Sequence, residues 1–481
     1  LASLFFYGFW NPAYLLVLLL SISFNYIAGL GLSQQYGYTS KNSALLAFSI
    51  TANLLLLGYF KYTNFLISNM NGILPVNLPL QEITLPLAIS FFTFQQIAYL
   101  VDAYRGEVDS YNFLEYTLFV VFFPQLIAGP VVHHKDVIPQ FLKHEIYQFN
   151  AGNVVIGLTY FSFGLFKKVV IADQVKNYAD PIFNAAAHAE PTTLLMAWCG
   201  ALAYALQLYF DFSGYSDMAI GLARMFGIKL PINFNSPYKA ASIRDFWRRW
   251  HITLSNFLRD YLYIPLGGNR QGQFRQVLNL ITTMLLGGLW HGAGWTFIFW
   301  GGLHGTYLII HRQWENLSSF ILPTPNKKPW WSQILNCLIT FMAVVVAWVF
   351  FRAPHMKAAI LILESMCGLH GISLPSPLEK YLSFLSPLGI QFQGVGELGF
   401  RISEAFAWIF VLLLIVWLTP NTHQWLECYK PALNIQLSNI SPLWKRLQWR
   451  PNNLWLIIST AITVVSVFHI SQDNEFIYFQ F

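Results

Sequence analysis

Residues 276–311 read QVLNLITTMLLGGLWHGAGWTFIFWGGLHGTYLIIH, a run without Asp, Glu, Lys or Arg that lies between Arg275 and Arg312. Gly287, Gly288, Gly292 and Gly294 supply the break for a hairpin around HGAG. Each arm then has about 16 residues, or roughly 24 Å of helix, less than the ~30 Å hydrocarbon core of a bilayer. The apex is expected to stop inside the membrane, where Gly-broken backbone is tolerated only against protein or a water-filled cavity. His291 should therefore line an internal cavity, with Trp290, Trp295 and Trp300 as candidate walls. A hydrogen-bonded packing role is the plainer reading, yet ionisable groups at membrane depth mark functional sites. An uncharged imidazole there can take a proton from a hydroxyl, as a general base must.

The rest of the chain agrees. Of 481 residues, 55% are hydrophobic and 10% charged, against about 25% charged in a soluble domain. Charges, Pro and Gly delimit apolar helices near 12–32, 43–67, 83–104, 113–128, 150–172, 192–224, 276–290, 295–311, 332–351, 356–369, 403–419 and 454–470. The expected class is an all-α polytopic membrane protein with about 11–12 transmembrane or re-entrant helices. No self-similar halves of the inverted-repeat kind stand out, so residues 1–481 read as one membrane domain. Ser318–Trp331 and Gly368–Gly396 look extramembrane. The chain opens at Leu1 inside an apolar segment without signal-peptide features, which reads as membrane helix with sequence missing upstream. The net charge of +6 sits in short clusters between apolar runs, a topology signal and not a nucleic-acid surface. Cys199, Cys337, Cys367 and Cys428 are far apart with no CxxC pair, so neither disulfides nor a metal is expected.

Residues 233–275, NFNSPYKAASIRDFWRRWHITLSNFLRDYLYIPLGGNRQGQFR, are too charged to span. Ser242 and Asp245 fit a capping box. Apolar positions from 243 to 262 then fall on an arc about 120° wide at helical spacing, with Arg244, Arg248, Arg249 and Arg259 opposite. This predicts one basic amphipathic helix in the membrane surface. His251 falls at the edge of the arc, beside Trp247 and Trp250. An interfacial His without chemistry would look the same.

Four stretches carry a family resemblance: FFPQLIAGPVVHHKDVIPQF at 122–141, YFDFSGYSDMAIGLARMFGIKLPINFNSPY at 209–238, DFWRRWHITLSNFLRDYLYIPLGGNR at 245–270 and LLGGLWHGAGWTFIFWGGLHG at 285–305. In these the chain resembles the membrane-bound O-acyltransferase superfamily, in the branch of the alginate O-acetylation membrane subunit and the teichoic acid D-alanyl transferase. The resemblance implies helices ringed around a funnel or tunnel, with acyl donor and acceptor approaching from opposite faces. It also implies that His291 is the principal catalytic histidine and His251 its partner. The donor would be a cytoplasmic thioester, acetyl-CoA or an acyl carrier, with no bound cofactor. The acyl group, most simply acetyl, would pass towards an extracytoplasmic polysaccharide such as alginate, with periplasmic or extracellular acyltransferases as partners. The setting would be the bilayer of the bacterial inner membrane.

Asp211, Ser213 and Asp217 lie in an apolar helix and either line the tunnel or pair within the bundle. His304 could hydrogen-bond near the site or pack. His133 and His134 precede Lys135 and Asp136 in an expected loop, where a solvated role is read. The tail SQDNEFIYFQF at 471–481 would expose an aromatic patch unless it docks, and Tyr478 is its only hydroxyl besides Ser471. The partner peptide of the related D-alanyl transferase ends in a similar tyrosine-bearing motif, which implies that Tyr478 could relay the acyl group; a plug or packing role is the alternative. Two readings without chemistry remain open at this point. A transporter shares the helices and cavity, and a structural anchor for soluble enzymes predicts that His291 could change freely.

Overall fold

In a computed structural model the chain is described over residues 1–33, 42–109, 111–127, 129–321, 329–393, 399–434 and 441–470. Among the described residues five helices are long and apolar enough to cross a membrane: Pro12–Leu32, Ser43–Ile73, Ala151–Ala187, Leu194–Met225 and Trp330–Arg352, with Ile402–Leu418 and Asn453–Phe468 shorter but apolar. The molecule is an all-α polytopic membrane protein, relieved among the described residues by one parallel pair of short strands, Ile372–Pro375 and Ile390–Gln393. Polar residues set the helix starts. Asn11, Asn42, Asn150 and Asn452 each accept a hydrogen bond from the first-turn backbone, meeting donors that have no partner inside the helix. Asn112 and Glu115 form a reciprocal capping box.

The Leu194–Met225 helix is the hub, 78% buried over its most apolar window. Glycines seat it on Ala151–Phe166: a Cβ on Gly164 would stand 2.5 Å from the Gly214 carbonyl oxygen, and one on Gly157 2.5 Å from that of Gly221. Small residues let helix backbones touch in this way. The 150–172 helix expected from sequence runs further. A π-helical turn, Lys167–Ala172, carries it into Asp173–Ala187, and the two lysines of that turn reach the hub. Lys167 Nζ lies 2.6 Å from Asp217 Oδ2, and Lys168 Nζ lies 2.6 Å from Asp211 Oδ1 and 2.8 Å from Asp173 Oδ1. Asp211 and Asp217 are thus members of a buried ion-pair belt.

Other expectations change too. The 113–128 helix stops at Val121, too short to span, and the 356–369 helix covers Met356–Met366. The continuous amphipathic helix is broken into Ile243–Trp247, Ile252–Leu258 and a π turn, Arg259–Tyr263. Phe246, Trp250, His251 and Leu254 within it are buried by protein, so it is a strap wedged into the bundle. Its two ends meet other helix ends: Arg244 Nη1 donates to Glu315 Oε1 at 3.1 Å, and Arg105 Nη2 to the Asp260 carbonyl at 3.4 Å. If the strap's basic face is cytoplasmic, an impermeant thiol reagent applied from the periplasm should modify a cysteine placed at Ser471 and spare one at Gly272. The reverse labelling would invert the topology.

Candidate active site

The expected hairpin is present, with longer arms. Gly272–His291 leads to the apex and Trp295–Ile321 returns. Its helices touch backbone to backbone, because a Cβ on Gly288 would collide with the Phe297 carbonyl and one on Gly301 with that of Met284. The apex sits beside the middle of the Ser43–Ile73 helix, whose single charged residue is Lys61. Lys61 Nζ donates to the carbonyls of Trp290 at 2.6 Å and His291 at 3.1 Å, and Tyr62 Oη donates to that of Leu289 at 2.9 Å. Three orphan carbonyls of a helix end at membrane depth are met from one neighbour. An ammonium at a helix C-terminus is also favoured by the helix dipole. The sequence reading passed over Lys61, although a lone charge in an apolar helix was a signal.

His291 is 5% exposed. Its ring meets those of Trp290, Trp300 and Phe351 at centroid distances of 4.9, 5.1 and 5.2 Å. It stands, with Lys61, Ser90 and Trp290, at the polar end of a cavity of about 840 Å³ whose other walls include Phe5, Phe9, Trp10, Phe91 and Phe123.

His251 arrives from the strap. Its φ of +42° is left-handed, a conformation costing a non-glycine residue about 1–2 kcal/mol. The bend is held by Asn233, whose carbonyl accepts from Ile252 N at 2.9 Å. The Asn233 Oδ1 accepts from Thr253 N at 3.3 Å and Thr253 Oγ1 at 3.0 Å, and lies 3.1 Å from His251 Nδ1. A backbone N–H can only donate, which identifies this atom as the amide oxygen. His251 Nδ1 therefore carries its proton towards Asn233, leaving Nε2 as the basic nitrogen of the neutral ring. The two histidine rings are 6.4 Å apart. Asn233 lies within a quoted motif, but its contact with His251 depends on a turn that residue types do not announce.

The remaining candidates divide. Trp300, His304, Trp247 and Trp250 form an aromatic layer behind His291: Trp300 and His304 are 4.8 Å apart, Trp247 Nε1 donates to His304 Nδ1 at 3.3 Å, and Trp250 packs on Trp348. Trp295 is no wall; it is 59% exposed and donates to Asn69 Oδ1. Of the expected tunnel residues Trp290 lines the cavity, whereas Trp247, Trp250, Trp300, His304, Asp211 and Ser213 do not, Asp211 being held by Lys168. Tyr478 lies outside the described residues.

His134 is not solvated. It is 1% exposed, 3.1 Å from Asp102 Oδ2 and 3.2 Å from Tyr111 Oη. Tyr261 Oη donates to Asp102 Oδ1 at 2.9 Å and so accepts from His133 Nδ1 at 3.1 Å. Burial lowers the His133 pKa and raises that of Tyr261, which keeps both neutral at pH 7. His134 opens a helix, His134–Phe141, instead of lying in the expected loop, and this network pins the preceding segment 129–133, where Val131 N donates to Thr253 Oγ1 at 3.0 Å, against the strap.

A model of the membrane-bound O-acyltransferase family matches residues 36–351. The chain is 49% identical to a peptidoglycan O-acetyltransferase of Helicobacter pylori over 80% of its own length and 76% of the relative's. It is 44% identical to a probable alginate O-acetylase of Pseudomonas aeruginosa, covering 76% of this chain and 68% of that one. With a teichoic acid D-alanyltransferase of Bacillus subtilis the identity is 28%, over 55% and 68%.

Proposed function

The chain belongs to the membrane-bound O-acyltransferase family, and from that membership we propose that it carries acetyl groups from a cytoplasmic thioester towards hydroxyls of an extracytoplasmic glycan, with His291 as base. Membership sets aside the readings without chemistry. One observation supports the assignment of the site above others: two histidines from separate segments, one on a strained turn and one at a broken hairpin apex, come within 6.4 Å beside a cavity large enough for a substrate. The acceptor hydroxyl gives its proton to His291 as its oxygen bonds to the acyl carbon. The carbon–sulfur bond then breaks, and the leaving thiolate takes the proton from His291. Atoms balance as one ester and one thiol. His251, its Nε2 basic, assists proton transfer or orients the thioester.

The donor is acetyl-CoA or an acyl carrier, bound from the basic face, and the protein works in the inner membrane with extracytoplasmic acyltransferases. Glycan acetylation is supported by relatives named for peptidoglycan and for alginate. The test is base-labile acetate in the peptidoglycan and exopolysaccharide of a deletion strain with and without the gene. Loss from neither fraction would overturn the glycan reading.

The cavity walls are mostly apolar, which suits an apolar peptide segment as immediate acceptor better than a sugar. Tyr478 is the proposed acceptor, passing its acetyl group on to an external transferase; tyrosine can serve as a covalent carrier. Tyr478→Phe keeps the ring and removes only the oxygen, so it should abolish polymer acetylation at normal protein level. Full acetylation would leave the tail a packing role.

A further inference from the structure

Trp290 Nε1, Trp300 Nε1 and His304 Nε2 are among the buried N–H groups around His291 that have no acceptor among the described residues, and the last two form a pair. Trp300 is 1% exposed and His304 0%. They are one helical turn apart on Trp295–Ile321, and so share a face, with ring centroids 4.8 Å apart. The Trp300 ring also stands nearly perpendicular to that of His291, at 5.1 Å and 87°.

The tautomer of His304 follows from its contact with Trp247. An indole N–H only donates, so Nδ1, which receives the Trp247 Nε1 hydrogen bond at 3.3 Å, is the acceptor nitrogen. The proton of the neutral ring is then on Nε2. Two buried donors therefore stand on adjacent rings, with Trp300 against the proposed base. Folded proteins seldom leave such groups unmet, and a pair beside one base suits an acceptor oxygen that arrives with the substrate.

We propose that Trp300 Nε1–H and His304 Nε2–H bind the acyl carbonyl oxygen of the thioester and hold the charge it gains during transfer. As the hydroxyl oxygen bonds to the acyl carbon and His291 takes the hydroxyl proton, the carbonyl π pair moves onto that oxygen. The pair returns when the carbon–sulfur bond breaks, and the thiolate leaves with the proton from His291. Both donors sit on the buried side of one helix, and donors fixed in place before charge develops are what makes such stabilisation effective. The proposal rests on the reading of His291 as base and adds what His291 cannot supply, a counterpart for the oxyanion.

The test uses cells producing the full-length protein and fed [14C]acetate, with base-released polymer acetate measured as an initial rate per copy of protein. Trp300→Phe and His304→Leu are each expected to lower the rate by about 10²-fold. His304→Gln, which keeps an N–H donor, should recover most of it. Should Trp300→Phe accumulate poorly, β-(3-benzothienyl)alanine at position 300 replaces the N–H by sulfur at nearly the same shape and gives the same readout. Rates for the donor-less variants within about threefold of wild type would overturn the proposal and leave packing, or a buried water between the donors, as their role. His291→Ala run in parallel separates the two claims. If it is inactive while the donor-less variants are active, only the donor pair fails; if it is active, the base assignment fails first.

Discussion

Replacing His291 with alanine is expected to cut base-labile polymer acetate by about 10²–10⁴-fold, the usual contribution of a general base, while the protein inserts and folds normally. The second half of that expectation comes from the hairpin. The end of the Gly272–His291 helix is held by Lys61 and Tyr62 through the carbonyls of residues 289, 290 and 291, which the substitution leaves in place. Gly288 and Gly301, which bring the two arms together, are likewise untouched. Polymer acetate should be measured at matched protein levels. A near-normal value would remove His291 from the chemistry.

The second large effect is on stability. Lys168→Met takes one cation from two carboxylates, Asp211 and Asp173, whose side chains are 1% and 8% exposed while that of Lys168 is 11% exposed. Breaking a buried pair by removing one partner costs about 3–5 kcal/mol, because it strands the other charge, whereas replacing both partners with apolar groups is often neutral. Lys168→Met should therefore unfold in detergent at markedly lower temperature than wild type. Adding Asp211→Leu should recover part of the loss. An unchanged unfolding temperature in the single variant would show that the Lys168 pairs contribute nothing to stability.

The same belt explains one limit of reading the sequence. Lys167, Lys168 and Asp173 look like the end of a membrane helix, yet the helix continues to Ala187 because Asp211 and Asp217, distant in sequence, neutralise the lysines. Arg275 and Arg312 similarly do not end the hairpin arms, which therefore run 20 and 27 residues, and the apex is placed beside Lys61 by contact and not by arm length. Periodicity found the buried face of the strap but not its break, since helical spacing reports which way side chains face and says nothing of one residue's φ. His134 was misjudged for want of its partner Asp102, which only the fold brings near. What was legible was what local chemistry dictates: apolar run lengths, the Ser242 cap, where Asp245 N does donate to Oγ at 3.1 Å, the glycine-broken apex, and two histidines in sequences rich in tryptophan. Long-range polar pairing, including Lys61 and Asn233, was not.

On the proposed mechanism an acetyl group crosses from a cytoplasmic thioester to an extracytoplasmic acceptor through a site built on His291. Sealed inside-out membrane vesicles carrying the protein, given [14C]acetyl-CoA and cytosolic extract on their outer, cytoplasmic face, test it directly. The expected result is base-labile label on material enclosed in the vesicle lumen, free thiol appearing outside in equal amount, and neither with His291→Ala. Lumenal label that persists in the His291→Ala vesicles, or label confined to the outer face with the wild-type protein, would contradict it.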